Sequence, residues 1–214
     1  MTELSPKERA LWMFQQFATD AGVLNVPFAV RVPQRLRWWP LQEALLHLIR
    51  RHPNLRTLFP EVDGMPYRTV LPVDSPALGR APLHTRASSD SRLERDLADF
   101  AATPFDLARD LPVRAAKFVL EDCDVLEVVV NHLVYDAVSA SVLREELLTA
   151  YAGLAATNQV PAELAGQVEP PDQAVPAAAS LAYWRERLAG AERRTASLDL
   201  GSAGQRKATF PGAR

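Results

Sequence analysis

The chain has 214 residues, of which 48% are hydrophobic and 23% charged, with a formal net charge of −2. That is the composition of a soluble globular protein of one or two domains, and with no basic run, no apolar stretch long enough to span a bilayer and no signal peptide, it points to neither nucleic acid nor membrane as a partner. The single cysteine, Cys123, excludes an internal disulfide and suits a reducing cytoplasm.

Ser5-Pro6-Lys7-Glu8 predicts a helix start, with Ser as N-cap, Pro at the first position and Glu at the third. Leu11, Trp12, Phe14 and Phe17 give that helix an apolar face. Asn25 to Val32 reads as a strand with Pro27 near its start. Pro40 opens a second helix with a buried stripe of Leu41, Ala44, Leu45, Leu48 and Ile49; Trp38 and Trp39 are expected to pack on its first turn, and Pro53 ends it near Arg51-His52. Thr57 to Val62 and Met65 to Val70 flank Asp63-Gly64, a hairpin signal. A Pro-rich connection covers Pro72 to Pro82. Ser88 to Ser91 cap a third helix whose Leu93, Leu97 and Phe100 face the core and which Pro104 ends. Arg114 to Leu120 is a strand, and Glu121-Asp122-Cys123-Asp124 a polar turn into the next strand, a link short enough to favour an antiparallel pair.

The stretch from Val125 to Leu148 organises the chain. Val125, Leu126, Val128, Val129 and Val130, broken only by Glu127, read as a central strand buried on both faces. Asn131, His132, Tyr135 and Asp136 follow abruptly. Val138, Val142, Leu143 and Leu147 then fall at helical spacing, with Arg144, Glu145 and Glu146 between them. A strand therefore ends in a polar turn from which a helix leaves, with Asp136 placed to cap free amides at the helix start. A His and an Asp four residues apart are compatible with catalysis and equally with a structural turn. Metal ligation is not indicated: His47, His52 and His84 show no ligand spacing to His132, and Cys123 has no partner. The fold class expected from these elements is a two-layer α/β sandwich, a mixed β-sheet covered by helices.

VVVNHLVYDAVSASVLREEL resembles the HHxxxDG core motif of nonribosomal peptide synthetase condensation domains, members of the chloramphenicol-acetyltransferase-like superfamily. His132 and Asp136 match the shared His and Asp, Asn131 stands for the first His, Ala137 for the Gly, and Ser139 matches a Ser common just after it. Three further segments agree in order. SPKERALW (Ser5 to Trp12) resembles the opening SxAQxRLW motif through Ser5, Leu11 and Trp12. RHPNLRTLF (Arg51 to Phe59) is similar to RHxxLRTxF, and PFDLARDLPVRAAKF (Pro104 to Phe118) to PFDLxxxPLxRxxL.

Residues 158–176, rich in Pro, Gln, Ala and Glu with no clear period, read as a linker or an irregular crossing segment. The resemblance implies an N-terminal lobe over residues 1–157 and, over 177–214, a connecting helix, AYWRERLAG, with the start of a C-terminal lobe. It also implies amide-bond formation between a carrier-bound acyl or aminoacyl donor and a carrier-bound aminoacyl acceptor. His132 would handle the acceptor amine. Asp136 would be structural, paired with Arg56 or, alternatively, Arg51. Asn131 and Ala137 would shape the motif, while Ser139 would line the substrate channel; Tyr135 would line it too, or else stand as a core or rim aromatic. No cofactor is bound directly; phosphopantetheine belongs to the partner carrier proteins. One lobe alone would be inactive and would self-associate or pair with a C-terminal condensation lobe. The alternative is a noncatalytic condensation-like module that recruits a partner protein to a carrier-bound peptide.

Overall fold

The structure, a computed structural model, describes residues 1–169 and 178–189. In chain order its elements are β1 (Thr2–Glu3), α1 (Pro6–Phe17), β2 (Asn25–Val32), α2 (Trp38–Arg51), β3 (Thr57–Leu58), β4 (Glu61–Val62), β5 (Met65–Val70) and β6 (Leu83–Ala87). They continue with α3 (Leu93–Ala102), β7 (Val113–Val119), β8 (Asp124–Asn131), α4 (Ala137–Thr157) and α5 (Ala178–Leu188). Two units are distinguished, Met1–Asp172 and Gln173–Arg214. In the second, α5 is the described helix and coincides with the expected connecting helix; residues 190–214, read as the start of a further lobe, lie outside the described residues.

The main sheet has the order β2-β8-β7-β6, antiparallel except for the parallel β6–β7 pair. It is the mixed sheet covered by helices that the sequence predicts. All eight residues of β8 are buried, as an apolar strand flanked by partners and covered on both faces must be. Val125, Glu127, Val129 and Asn131 alternate onto one face, with Arg114 and Phe118 beside them on β7. α3 covers this face: Phe100 meets Phe118 edge-on at 6.1 Å, and the Arg114 guanidinium lies over the Phe105 ring and donates to the carbonyls of Phe100 and Thr103 at the C-terminus of α3.

The residues predicted for the stripe of α2 are all buried, and Trp38 and Trp39 form its first turn, Trp38 half-buried and Trp39 exposed. β5 is the middle of a second small sheet, pairing β1 on one side and β3 and β4 on the other. Its hairpin turns at Asp63 (φ 51°) and Gly64 (φ 74°), the two left-handed residues that a type I′ turn needs.

Four expectations are corrected. β6 falls where no strand was predicted; only Leu83 of its five residues is buried, so an edge strand left no alternation to read. The apolar face of α1 is covered only in part: Leu11 and Trp12 are half-buried against the core, while Phe14 and Phe17 are exposed. The residue of α1 that is buried is Glu8, which closes the capping box with Ser5 and pairs with Arg68 of β5 at 2.8 Å. Asp124 is not part of an exposed turn. It is fully buried as the first residue of β8, and it accepts from the Leu36 amide (2.7 Å) and Arg35 (2.9 Å), with Lys117 at 3.8 Å. Lastly, of the two readings of 158–176, the described part is the irregular crossing segment and not a linker: Leu164 is buried, and Val168 donates its amide to the Arg51 carbonyl. Residues 170–177 lie outside the described set.

Glu127 sits in the middle of β8 with only 2% of its surface exposed. Burial pushes its carboxyl up to about 8, against opposing pulls from Arg114 and Arg86. Between the ordinary glutamate value of 4.5 and about 8, the folded chain holds a proton that the unfolded chain has lost. Stability therefore falls as pH rises through that window and levels off above it. Glu127→Gln is expected to abolish this slope, leaving the variant near the parent at pH 4 and more stable than it at pH 8.5, by on the order of 2–4 kcal/mol in urea unfolding. Superimposable slopes for parent and variant would disprove it.

Candidate active site

β8 delivers its last residue, Asn131, into a buried position, 1% exposed, at the start of the polar turn. Its amide donates to the Pro112 carbonyl. The side-chain oxygen accepts from the Leu133 amide at 3.0 Å, and Nδ2 reaches Gln15 Oε1 of α1 at 3.5 Å. The next amide, of His132, donates to the Leu24 carbonyl at 2.8 Å. Leu133, Val134 and Tyr135 are buried in the core, so the turn is held by apolar contacts below and backbone hydrogen bonds beside it.

The His132 ring is half-buried, and its Nδ1 lies against the Tyr135 carbonyl oxygen. A carbonyl only accepts, so Nδ1 carries the proton and donates. In the neutral imidazole this leaves the lone pair on Nε2, and among the described residues Nε2 has no hydrogen-bond partner. A ring fixed by one nitrogen and open at the other is the arrangement a general base requires.

Asp136 is the N-cap of α4, with extended backbone. Its Oδ1 accepts from the Ser139 amide at 2.9 Å and the Ser139 hydroxyl at 2.8 Å. The Ser139 amide and hydroxyl hold this carboxyl below the usual aspartate range, with Lys7 of α1 adding to the effect. Lys7 was not singled out in the sequence, and nothing in its surroundings there marks it. Ala137, the first residue of α4, is exposed and does not take a positive φ; the non-glycine residues that do among those described are Asp63 and Asn158. The backbone at this turn therefore asks for no glycine.

The expected ion pair between Asp136 and Arg56 is not formed. Arg56 is buried, 5% exposed, and its guanidinium donates to the Leu71 carbonyl and, at 2.6 Å, to Gln167 Oε1; burial lowers its pKa. The alternative partner, Arg51, binds Glu146 instead, at 3.2 Å. The physical reason is that the Asp136 carboxylate is served by the first turn of its own helix and needs no buried cation. The two residues expected to line a channel are also placed otherwise. Tyr135 is 4% exposed and packed in the core, its hydroxyl without a partner among the described residues and its phenol pushed up to about 12 by burial, so that it stays neutral. The Ser139 hydroxyl is bound to Asp136. Among the described residues no three His, Cys, Asp or Glu side chains gather to hold a metal ion, and no helix is long and apolar enough to cross a membrane.

Comparison with known proteins identifies the family. The family model for the condensation domain matches residues 1–210. The chain is 33% identical over 207 residues to an isonitrile lipopeptide synthase of Mycobacterium tuberculosis, covering 89% of this chain and 8% of that protein. It is 33% identical over 201 residues to a dimodular nonribosomal peptide synthase of Bacillus subtilis, covering 86% of this chain and 8% of that protein. Among solved structures, the X-domain of teicoplanin biosynthesis in complex with OxyB superposes with a TM-score of 0.65 at 26% identity, over 90% of this chain and 39% of that one. The first condensation domain of the calcium-dependent antibiotic synthetase superposes with a TM-score of 0.68 at 22% identity, over 86% of this chain and 44% of that one. The chain thus spans less than half the length of each of these relatives. The family model and these relatives show that the chain belongs to the condensation-domain family of nonribosomal peptide synthetases, and the superpositions that it has the N-terminal lobe of the chloramphenicol-acetyltransferase-like fold.

Proposed function

We propose that the chain supplies one wall of an amide-forming site, in the cytoplasm, at which His132 serves the amine of an aminoacyl acceptor. Donor and acceptor are both held as thioesters on the phosphopantetheine arms of carrier-protein domains. The amine nitrogen attacks the donor's thioester carbonyl carbon. The C–N bond forms, the C–S bond breaks, the amine proton passes to His132 Nε2, and the leaving sulfur takes up a proton to depart as the thiol. The observation that carries this reading is the Tyr135 carbonyl on Nδ1, which leaves the lone pair on Nε2, without a hydrogen-bond partner among the described residues. Asp136 has a structural role, since its carboxylate is spent on capping α4. Condensation needs both arms held in register and shielded from water, which a single wall does not achieve. The isolated chain is therefore inactive, and completes its site with a C-terminal condensation lobe or meets its own kind.

A second reading is favoured by the 26% identity to the X-domain solved with OxyB, and by Asn131 and Ala137 standing where the family motif has His and Gly. In it the lobe is a noncatalytic module that recruits a partner enzyme to a carrier-bound peptide.

Three outcomes are expected. His132→Ala, in a protein carrying both lobes, lowers carrier-to-carrier amide formation by about 10²–10⁴-fold, read by mass spectrometry of the product; undiminished turnover removes His132 from the chemistry and leaves the recruitment reading. Asp136→Ala costs about 1 kcal/mol of stability in urea unfolding, whereas Asp136→Asn, an equally good cap, costs little. An Asp136→Asn protein that folds like the parent but makes no product would return a chemical role to the carboxylate. The 214-residue chain, incubated with loaded donor and acceptor carrier proteins, yields no product and scatters light as a species larger than a monomer. Robust turnover by a monomer would show that one lobe suffices.

A further inference from the structure

Beyond the helix that carries the site, the chain turns back across the lobe as a strap, and the RHPNLRT segment grips it. Asn158 caps α4 in the left-handed conformation, φ 60°. Residues 159–161 then press on α4 at Gly153, where a Cβ would stand 2.6 Å from Pro161 Cδ and 2.8 Å from the Gln159 carbonyl oxygen, so a side chain there would push the strap away. Leu164 is buried, and Gly166 (φ 79°) bends the chain after it. One nitrogen of Arg51, Nη1, donates to three successive strap carbonyls, of Leu164 (3.2 Å), Ala165 (3.0 Å) and Gly166 (3.1 Å). His47 Nε2 donates to the same Leu164 carbonyl at 3.0 Å. Arg56 holds Gln167 Oε1 at 2.6 Å, and the Arg51 carbonyl accepts from the Val168 amide at 2.9 Å. On the far side, Glu146 of α4 takes Arg51 Nε at 3.2 Å and His52 Nε2 at 2.5 Å, which aims the guanidinium at the strap.

We propose that Arg51, oriented by Glu146, and Arg56 form a clamp that fixes where the chain leaves the lobe, so that the RHPNLRT segment positions the outgoing chain and not His132. Val160 and Pro161 are half-buried and Leu164 is buried, but Ala165, Gly166 and Gln167 are exposed, so the stretch after Leu164 buries little apolar surface. Its hold is polar, and it belongs to the part of the fold that opens first. The guanidinium holds the Glu146 carboxylate through Nε while the two N–H groups of Nη1 are shared among the strap carbonyls, two donor groups set apart on one rigid plane, which a single ammonium nitrogen does not offer. The clamp rests on these contacts over residues 164–168 and not on the proposed function above.

The test is amide hydrogen exchange on the full 214-residue chain. Arg51→Ala is expected to speed exchange at the Leu164, Ala165 and Val168 amides by about tenfold or more, with the Val128, Val129 and Val130 amides unchanged, as local opening requires. Arg51→Lys should behave like Arg51→Ala, Gln167→Ala should loosen Val168 alone, and Arg50→Ala, which alters an exposed neighbour, should change nothing. Parental protection of the strap in Arg51→Ala overturns the clamp. So does restoration by Arg51→Lys, or equal loss of protection in the strap and in β8. Because the readout needs no turnover, a failed clamp leaves the His132 mechanism standing, and a failed condensation assay leaves the clamp standing.

Discussion

The burial of every residue of β8 is the constraint on which the rest of the lobe depends. A strand closed in by neighbours on both edges and covered on both faces has one register and one end point. Asn131 is held there by its own side chain and by the Pro112 carbonyl, and His132 by the Leu24 carbonyl of the segment leading into β2. The histidine stands on rigid sheet through two backbone links, and its ring is aimed by a third, the Tyr135 carbonyl. A polar side chain is thereby presented at a defined place by an element whose own stability comes from apolar packing.

That burial is not free of cost. β8 carries Asp124 at one end and Glu127 in its middle, and the fold treats the two carboxylates in opposite ways. Asp124 receives the Leu36 amide, Arg35 and Lys117, and so anchors the β2–α2 connection. Glu127 has Arg114 and Arg86 in its surroundings but a buried oxygen without a hydrogen bond among the described residues, and burial outweighs the two cations. Arg114 itself is committed to the carbonyls at the end of α3. The same arginine thus caps a helix and half-compensates a buried acid, a division that ties α3 to the centre of the sheet.

What was legible in the sequence was whatever is decided locally. The capping box at Ser5 and Glu8, the Asp63-Gly64 turn, the stripe of α2 and the apolar run of β8 each depend on residues a few positions apart, and each formed as read. The His and Asp were legible through their resemblance to a motif, and their location at a strand end followed. What was not legible was the choice of partner across the fold. Asp136 was readable as the cap of the helix that follows it, and it is that cap; but Arg56 lies 80 positions away in sequence, and nothing in its segment tells that Gln167 would take the Arg. β6 escaped for a related reason: an edge strand with one buried residue has no periodic signature, only a neighbour, β7, that supplies its hydrogen bonds. The exposed Phe14 and Phe17 show the converse error, since apolar spacing on a helix reports a face that excludes water somewhere, without saying in which half of a molecule.

Ala137 carries a thermodynamic consequence of its own. Its backbone is ordinary right-handed helix at the first position of α4, so its methyl group meets no torsional strain there. A glycine at the same point would visit many more conformations once the chain is denatured, and an alanine narrows that ensemble, a difference of about 0.4–1 kcal/mol in favour of the folded state where the native dihedral angles suit both residues. Where the related motif has a glycine, this chain therefore gains its advantage from the disordered chain, at a position whose native contacts would not reveal it.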